Sequence, residues 1–132
     1  VPEMHLGGFN ANSDFEKLKE ISEKIGHIKL IKGKFEDTIP KFIEKNPHFS
    51  LSLIHIDCDL HQSTYTVLKK LLNRLNIGGI VIFDEIFHKD YPGETSGFWD
   101  AYNEIKESNK NLVLKFERLD TFPWKWYCER IS

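Results

Sequence analysis

Two predicted strand segments that run directly into acidic residues constrain the fold of this chain more than any other feature. Residues 49–56 end at Asp57 and Asp59, and residues 80–83 end at Asp84 and Glu85. The second segment has no polar residue, which is typical of a strand buried on both faces of a parallel sheet. Between them, residues 63–75 place leucine and valine on one helical face. We therefore predict a strand–helix–strand unit whose two strands are parallel.

The rest of the chain continues this alternation of helices and strands. Helical spacing of apolar residues predicts three further helices, at residues 13–25, 38–45 and 96–108. β-branched and aromatic runs predict three further strands, at residues 28–31, 112–116 and 125–131. Residues 1–12 and 33–37 are predicted loops, and Ser13 with Glu16 forms a capping box. The predicted class is α/β with a largely parallel sheet that ends in two terminal strands.

Composition excludes several classes of protein. The 132 residues suffice for one domain, and the formal net charge of −2 gives no basic surface for nucleic acid or anionic membranes. No apolar run is long enough to span a membrane. Cys58 and Cys128 have no spacing typical of zinc sites or disulfides, so a reducing, cytoplasmic setting is expected.

The acids after the two strands form the strongest candidate site. Ligands of open α/β sheets bind outside the carboxyl ends of the strands, and adjacent strands lie about 4.8 Å apart. The carboxylates of Asp57, Asp84 and Glu85 are therefore predicted to converge, and a hard cation such as Mg²⁺, Ca²⁺ or Mn²⁺ relieves their repulsion. The alternative is that one acid caps the following helix while the others are solvated. His61 is a candidate base, a substrate contact or a solvated loop residue.

Three motifs together resemble the macrocin O-methyltransferase family. They are Ile-Asp-Cys-Asp-Leu-His-Gln-Ser-Thr at residues 56–64, Gly-Gly-Ile-Val-Ile-Phe-Asp-Glu at residues 78–85, and Gly-Lys-Phe-Glu-Asp-Thr-Ile-Pro at residues 33–40. The resemblance covers roughly residues 28–105 of this chain. It implies a Rossmann-like class I methyltransferase fold, with a mostly parallel sheet that ends in an antiparallel hairpin. The chain resembles the C-terminal part of that fold.

The resemblance also implies a chemistry for the site. It implies S-adenosylmethionine as cofactor, a divalent metal, most simply Mg²⁺, on Asp57, Asp84 and Glu85, and a sugar-like hydroxyl as acceptor. Cofactor contacts are expected from Phe35 and Glu36 near the adenine and from Asp57 near the methionine end. This sequence has Glu85 where a second Asp is common in the family.

The same resemblance suggests how the acceptor loses its proton. Asp59 is the preferred candidate for the base or for a contact to a substrate hydroxyl, and His61 is the second candidate. His61 stands where a Tyr is common in the family, which leaves the identity of the acceptor open. A homo-oligomer is a further expectation.

In the family that this sequence resembles, an N-terminal Gly-rich strand–turn–helix binds the cofactor. This sequence contains no GxGxxG motif. Residues 1–132 are therefore expected to be a partial methyltransferase domain. Three alternatives remain open. Asp57 and Asp59 also fit the nucleophile and general acid of a haloacid-dehalogenase-type phosphatase, or the DxD motif of a glycosyltransferase. The third alternative is an inactive fragment or an interaction domain.

Overall fold

The computed structural model describes residues 11–119 and 121–132, with side chains from residue 14 onward. The chain forms two compact units, Val1–Lys34 and Phe35–Ser132. In the first unit, helix α1 (Ala11–Ile25) ends where Gly26 adopts a φ of +86°, a left-handed conformation that glycine reaches without strain. The predicted helix is confirmed. The predicted loop at residues 1–12 and the capping box at Ser13 fall largely outside the described part of the chain.

The prediction of a strand at residues 28–31 is wrong. This segment has no regular secondary structure, and the side chains of Ile28 and Ile31 are 45% and 49% exposed. A β-branched run forms a strand only where a neighbour supplies hydrogen-bond partners. Within the described residues no strand pairs with this segment, so its β propensity alone does not produce one.

The second unit contains seven helices and strands within the described residues. In chain order they are helix α2 (Phe35–Lys45), strand β1 (Leu51–Ile56), helix α3 (His61–Leu71), strand β2 (Leu75–Phe83), helix α4 (Gly93–Ser108), strand β3 (Leu114–Arg118) and strand β4 (Trp126–Arg130). A short 3-10 turn, Leu72–Arg74, links α3 to β2. Helix α2 begins three residues before the prediction, so part of the predicted loop at 33–37 is helical.

The four strands form one mixed sheet in the order β1-β2-β4-β3. β1 and β2 are parallel, with Ile54 opposite Val81, whereas β4 is antiparallel to both of its neighbours. The predicted parallel strand–helix–strand unit and the C-terminal antiparallel hairpin are both confirmed. Because β1 and β2 are parallel, their carboxyl ends lie at the same edge of the sheet.

One face of the sheet carries the core. Ile54 and Ile56 of β1 are buried while His55 between them is exposed, so burial alternates along this part of the strand. Phe83 of β2 meets Phe98 of α4 edge to face, with ring centroids 5.7 Å apart. β2 was predicted to be buried on both faces, but its burial also alternates in the described structure. No helix in residues 11–119 and 121–132 has the length and apolar content needed to cross a membrane.

Candidate functional site

Acidic side chains collect where β1 and β2 end. Asp57 directly follows β1, and Asp59 turns the chain with a φ of +58°, a conformation that aspartate tolerates better than most residues. Carboxylate oxygens of Asp57, Asp59 and Glu94 all lie within 4.8 Å of one another. Asp57 and Asp59 are exposed, and Glu94 is buried. We call these three residues the acid cluster.

Glu94 is the buried member of the acid cluster. It lies in the first turn of α4, where its Oε2 accepts a hydrogen bond of 3.0 Å from the backbone amide of Glu85. Its Oε1 has no hydrogen-bond partner among the described residues. Burial raises the pKa of Glu94 to about 7, although nearby backbone amides, those of Glu85, Asp59 and Cys58, oppose the rise. An unpaired buried carboxylate oxygen beside two exposed carboxylates is a strong acceptor for a cation.

Asp84 and Glu85 border the acid cluster. Asp84 Oδ1 lies 3.3 Å from Nζ of Lys125, which precedes β4. The pKa of the Glu85 carboxyl is raised, first by burial and then by the negative charges of Asp59 and Asp84. Of the predicted metal set, the structure therefore brings only Asp57 into the three-carboxylate group, while Asp84 and Glu85 contribute charge beside it.

Gly93 allows the acid cluster to form. A Cβ added to Gly93 would lie 2.1 Å from the backbone oxygen of Asp59 and 2.9 Å from the amide nitrogen of His61. The first turn of α4 therefore packs directly on the backbone that follows β1. This close approach places Glu94 beside the two aspartates.

The remaining predicted site residues lie at the starts of helices. His61 opens α3, and its Nε2 is 2.7 Å from Oδ2 of Asp100, so this ring nitrogen is already engaged. Phe35 and Glu36 open α2 and supply no atom to the acid cluster. Of the two predicted candidates for the base, the structure places Asp59 in the acid cluster and His61 in a pair with Asp100.

Comparison with known proteins identifies the family. The model of the Macrocin-O-methyltransferase (TylF) family matches residues 10–122. This chain belongs to the macrocin O-methyltransferase family. The resemblance seen in the three sequence motifs is thereby confirmed.

Individual relatives of this macrocin O-methyltransferase family member are also O-methyltransferases. The 8-demethyl-8-(2,3-dimethoxy-alpha-L-rhamnosyl)-tetracenomycin-C 4'-O-methyltransferase of Streptomyces olivaceus is 33% identical over 73 residues, which are 55% of this chain and 25% of that protein. The apo structure of CalS11, a TDP-rhamnose 3'-O-methyltransferase of calicheamicin biosynthesis, matches with a TM-score of 0.62 and 25% identity, covering 90% of this chain and 49% of that one.

The O-methyltransferase NovP matches in fold, with a TM-score of 0.63 and 19% identity over 100% of this chain and 56% of that chain. The class I methyltransferase fold is confirmed. The chain of this family member spans 25% of the curated relative and 49% of CalS11, so it corresponds to only part of each.

Glu94 is the site residue that sequence reasoning missed. It follows Pro92-Gly93, and this turn signal placed it in a polar loop ahead of the helix predicted at residue 96. The helix begins earlier, at Gly93, which turns the acid inward. An acid three residues or fewer into a helix is the available sequence signal, but it marks the helix start and does not show that the acid joins a site.

The raised pKa of Glu94 predicts how stability depends on pH. The Glu94 carboxyl binds its proton more tightly in the folded state than an ordinary carboxyl with a pKa of 4.5 does. The free energy of unfolding therefore falls as the pH rises from 4.5 to about 7. The slope due to this group is at most about 1.4 kcal/mol per pH unit. In the Glu94→Gln variant this contribution is absent. Urea unfolding of both proteins with EDTA at pH 5 and pH 7 measures it, and equal changes in the two proteins would contradict the assignment.

Proposed function

We propose that this chain is part of an S-adenosylmethionine-dependent O-methyltransferase that methylates a hydroxyl of a sugar or sugar-containing natural product with the help of a divalent cation. Family membership supports methyl transfer. The named activities of two relatives, on a rhamnosyl tetracenomycin and on TDP-rhamnose, support a deoxysugar as acceptor. The earlier phosphatase and glycosyltransferase alternatives have no support from the family comparison.

The observation that carries the proposal is the acid cluster at the common carboxyl edge of β1 and β2. Two exposed carboxylates and one buried carboxylate within 4.8 Å of one another fit a hard cation, and the unpaired Glu94 Oε1 strengthens the fit. Asp57 is the ligand shared by the predicted set and the observed cluster. Asp84 and Glu85 stay proposed ligands because their carboxyl groups border it.

The chain's own residues have separate roles in this proposal. A bound Mg²⁺ supplies Lewis acidity that lowers the pKa of an acceptor hydroxyl. Asp59 is exposed and takes the hydroxyl proton. His61 stays the second proposed candidate for the base, and the contact between its Nε2 and Asp100 of α4 orients its ring. Phe35 and Glu36 stay proposed cofactor contacts, with Asp57 near the methionine end.

The Gly-rich element that holds the cofactor in this class is absent from residues 1–132, so we propose that it belongs to a longer polypeptide. The cytoplasmic location of the protein and its homo-oligomeric state stay predictions. The test is calorimetric titration of S-adenosylmethionine and S-adenosylhomocysteine into this chain and into the longer polypeptide, each with and without Mg²⁺.

Binding by the longer polypeptide alone supports a methyltransferase whose cofactor-binding half lies outside these residues. Transfer of a labelled methyl group to TDP-rhamnose, lost on addition of EDTA, then tests the acceptor class and the cation. Absence of cofactor binding in both proteins contradicts the proposed function.

A further inference from the structure

A second concave site lies next to the acids. It is a cavity of about 360 Å³ lined by Phe87, His88, Lys89, Asp90, Pro123 and Trp124. One wall comes from the loop between β2 and α4, and the other comes from the turn between β3 and β4. The volume is at the small end of ligand pockets, which fits a single six-membered ring better than a polycyclic molecule. None of these residues belongs to the acid cluster.

One wall of the cavity is linked to the acids at the sheet edge by an ion pair. Lys125 follows Trp124, and its Nζ lies 3.3 Å from Oδ1 of Asp84. The other wall belongs to the loop that directly follows Asp84 and Glu85 at the end of β2. The cavity therefore adjoins the end of β2.

Aromatic rings shape the cavity. The ring of His88 packs against those of Tyr91 and Trp124, with centroid distances of 4.8 Å and 4.9 Å. The His88 and Trp124 rings meet at 68°, an edge-to-face arrangement that fixes both orientations. Trp124 and His88 are each partly exposed, so part of each ring is open to a ligand. An indole face suits the apolar C–H face of a pyranose ring, because it adds contact area at little cost in conformational entropy.

Polar groups in the same cavity suit the hydroxyls of a sugar. The amide of Asp90 donates to Nδ1 of His88 over 3.2 Å, so neutral His88 carries its proton on Nε2 and can donate it to a ligand. The side chains of Lys89 and Asp90 add a donor and an acceptor at the rim. The cavity thus combines an aromatic face with hydrogen-bonding groups of both kinds.

The loop wall is also held in place before any ligand arrives. Phe87 has a φ of +64°, a conformation unusual for a bulky residue. It is retained because the Phe87 amide donates to Oγ1 of Thr95 over 2.7 Å and its ring packs edge to face on Trp126, with centroids 5.4 Å apart. The position of His88 is therefore fixed by contacts on both sides of Phe87.

We propose that this cavity binds the pyranose ring of the acceptor, with Trp124 as the stacking surface and His88 as a hydroxyl donor. The proposal rests on the proposed function, since it assigns that function's substrate a place. It names two residues that determine specificity and that lie outside the set of acids.

Saturation-transfer difference NMR with methyl α-L-rhamnopyranoside tests the cavity in this chain. We expect transfer to the ring protons, and an affinity about tenfold lower in Trp124→Ala, because an aromatic contact is lost. Trp124→Phe keeps a ring and is expected to keep most of the affinity. Trp99→Ala is the matched control, because Trp99 is a half-exposed tryptophan of α4 outside the cavity. His88→Ala is expected to weaken binding without removing the indole.

The outcomes separate this inference from the proposed function. Loss of transfer in Trp124→Ala but not in Trp99→Ala supports the cavity. No transfer in the unmodified chain, equal transfer in both alanine variants, or transfer to phenol in place of the rhamnoside overturns it. The cofactor titration with the longer polypeptide decides the proposed function independently, because it involves neither Trp124 nor His88.

Discussion

Replacing Asp57 with Asn is expected to lower the affinity of this chain for Mn²⁺, a spectroscopic substitute for Mg²⁺, by about 100-fold or more. Even the loss of groups that merely support metal ligands costs about 10- to 100-fold in affinity. Asp57 belongs both to the metal set predicted from sequence and to the acid cluster, so its removal affects either arrangement. Electron paramagnetic resonance of free Mn²⁺ during titration gives the dissociation constant directly.

Asp100→Asn is the matched control, because Asp100 is exposed and acidic but pairs with His61 outside the acid cluster. It is expected to leave Mn²⁺ affinity unchanged. Comparison of Asp59→Asn with Asp84→Asn then identifies the other ligands. A larger loss in Asp59→Asn supports the observed cluster, and a larger loss in Asp84→Asn supports the sequence-based set. Unchanged affinity in Asp57→Asn would contradict a cation site here altogether.

Gly93→Ala is expected to damage stability and the site together. The added methyl group would lie 2.1 Å from the backbone oxygen of Asp59, far inside any allowed contact, and backbone atoms cannot move aside as a side chain can. Overpacking of this kind costs about 3 kcal/mol in free energy of unfolding. The shift of α4 also moves Glu94 away from the aspartates, so Mn²⁺ binding falls as well.

Urea unfolding and Mn²⁺ titration of the Gly93→Ala variant measure the two effects. Asn103→Ala is the control, because Asn103 is exposed on the same helix and its replacement is expected to change stability by less than about 0.5 kcal/mol. A Gly93→Ala protein as stable as Asn103→Ala, with normal Mn²⁺ affinity, would show that the helix start does not pack as described.

The strand–helix–strand unit was predictable because its signals are local. Apolar runs that end in acids, with an amphipathic helix between them, determine that β1 and β2 are parallel and that their acids share an edge. Which acids meet was not predictable. Glu94 enters the acid cluster only because Gly93 lets α4 approach the backbone after β1, a contact between segments more than thirty residues apart.

Tertiary contacts that local sequence does not specify also explain where the predictions fell short. The segment at residues 28–31 has the composition of a strand, but strand formation depends on a neighbour that local sequence does not specify. The role of His61 as a base stays a prediction, and local sequence could not identify its partner Asp100, thirty-nine positions away in the chain. Local pattern thus predicted most element types, and tertiary contacts decided which side chains meet.

The strand order has a consequence for synthesis of the protein on the ribosome. β4 is the last strand in the described residues, yet it lies between β2 and β3, and Val81 of β2 pairs with Cys128 of β4. Until that segment leaves the exit tunnel, β3 has no neighbour and β2 has one open edge. Lys125, the partner of Asp84, arrives at the same late moment. A nascent chain from which β4 has not yet emerged therefore exposes an unpaired edge of β2, and this edge can pair with another chain until β4 occupies it.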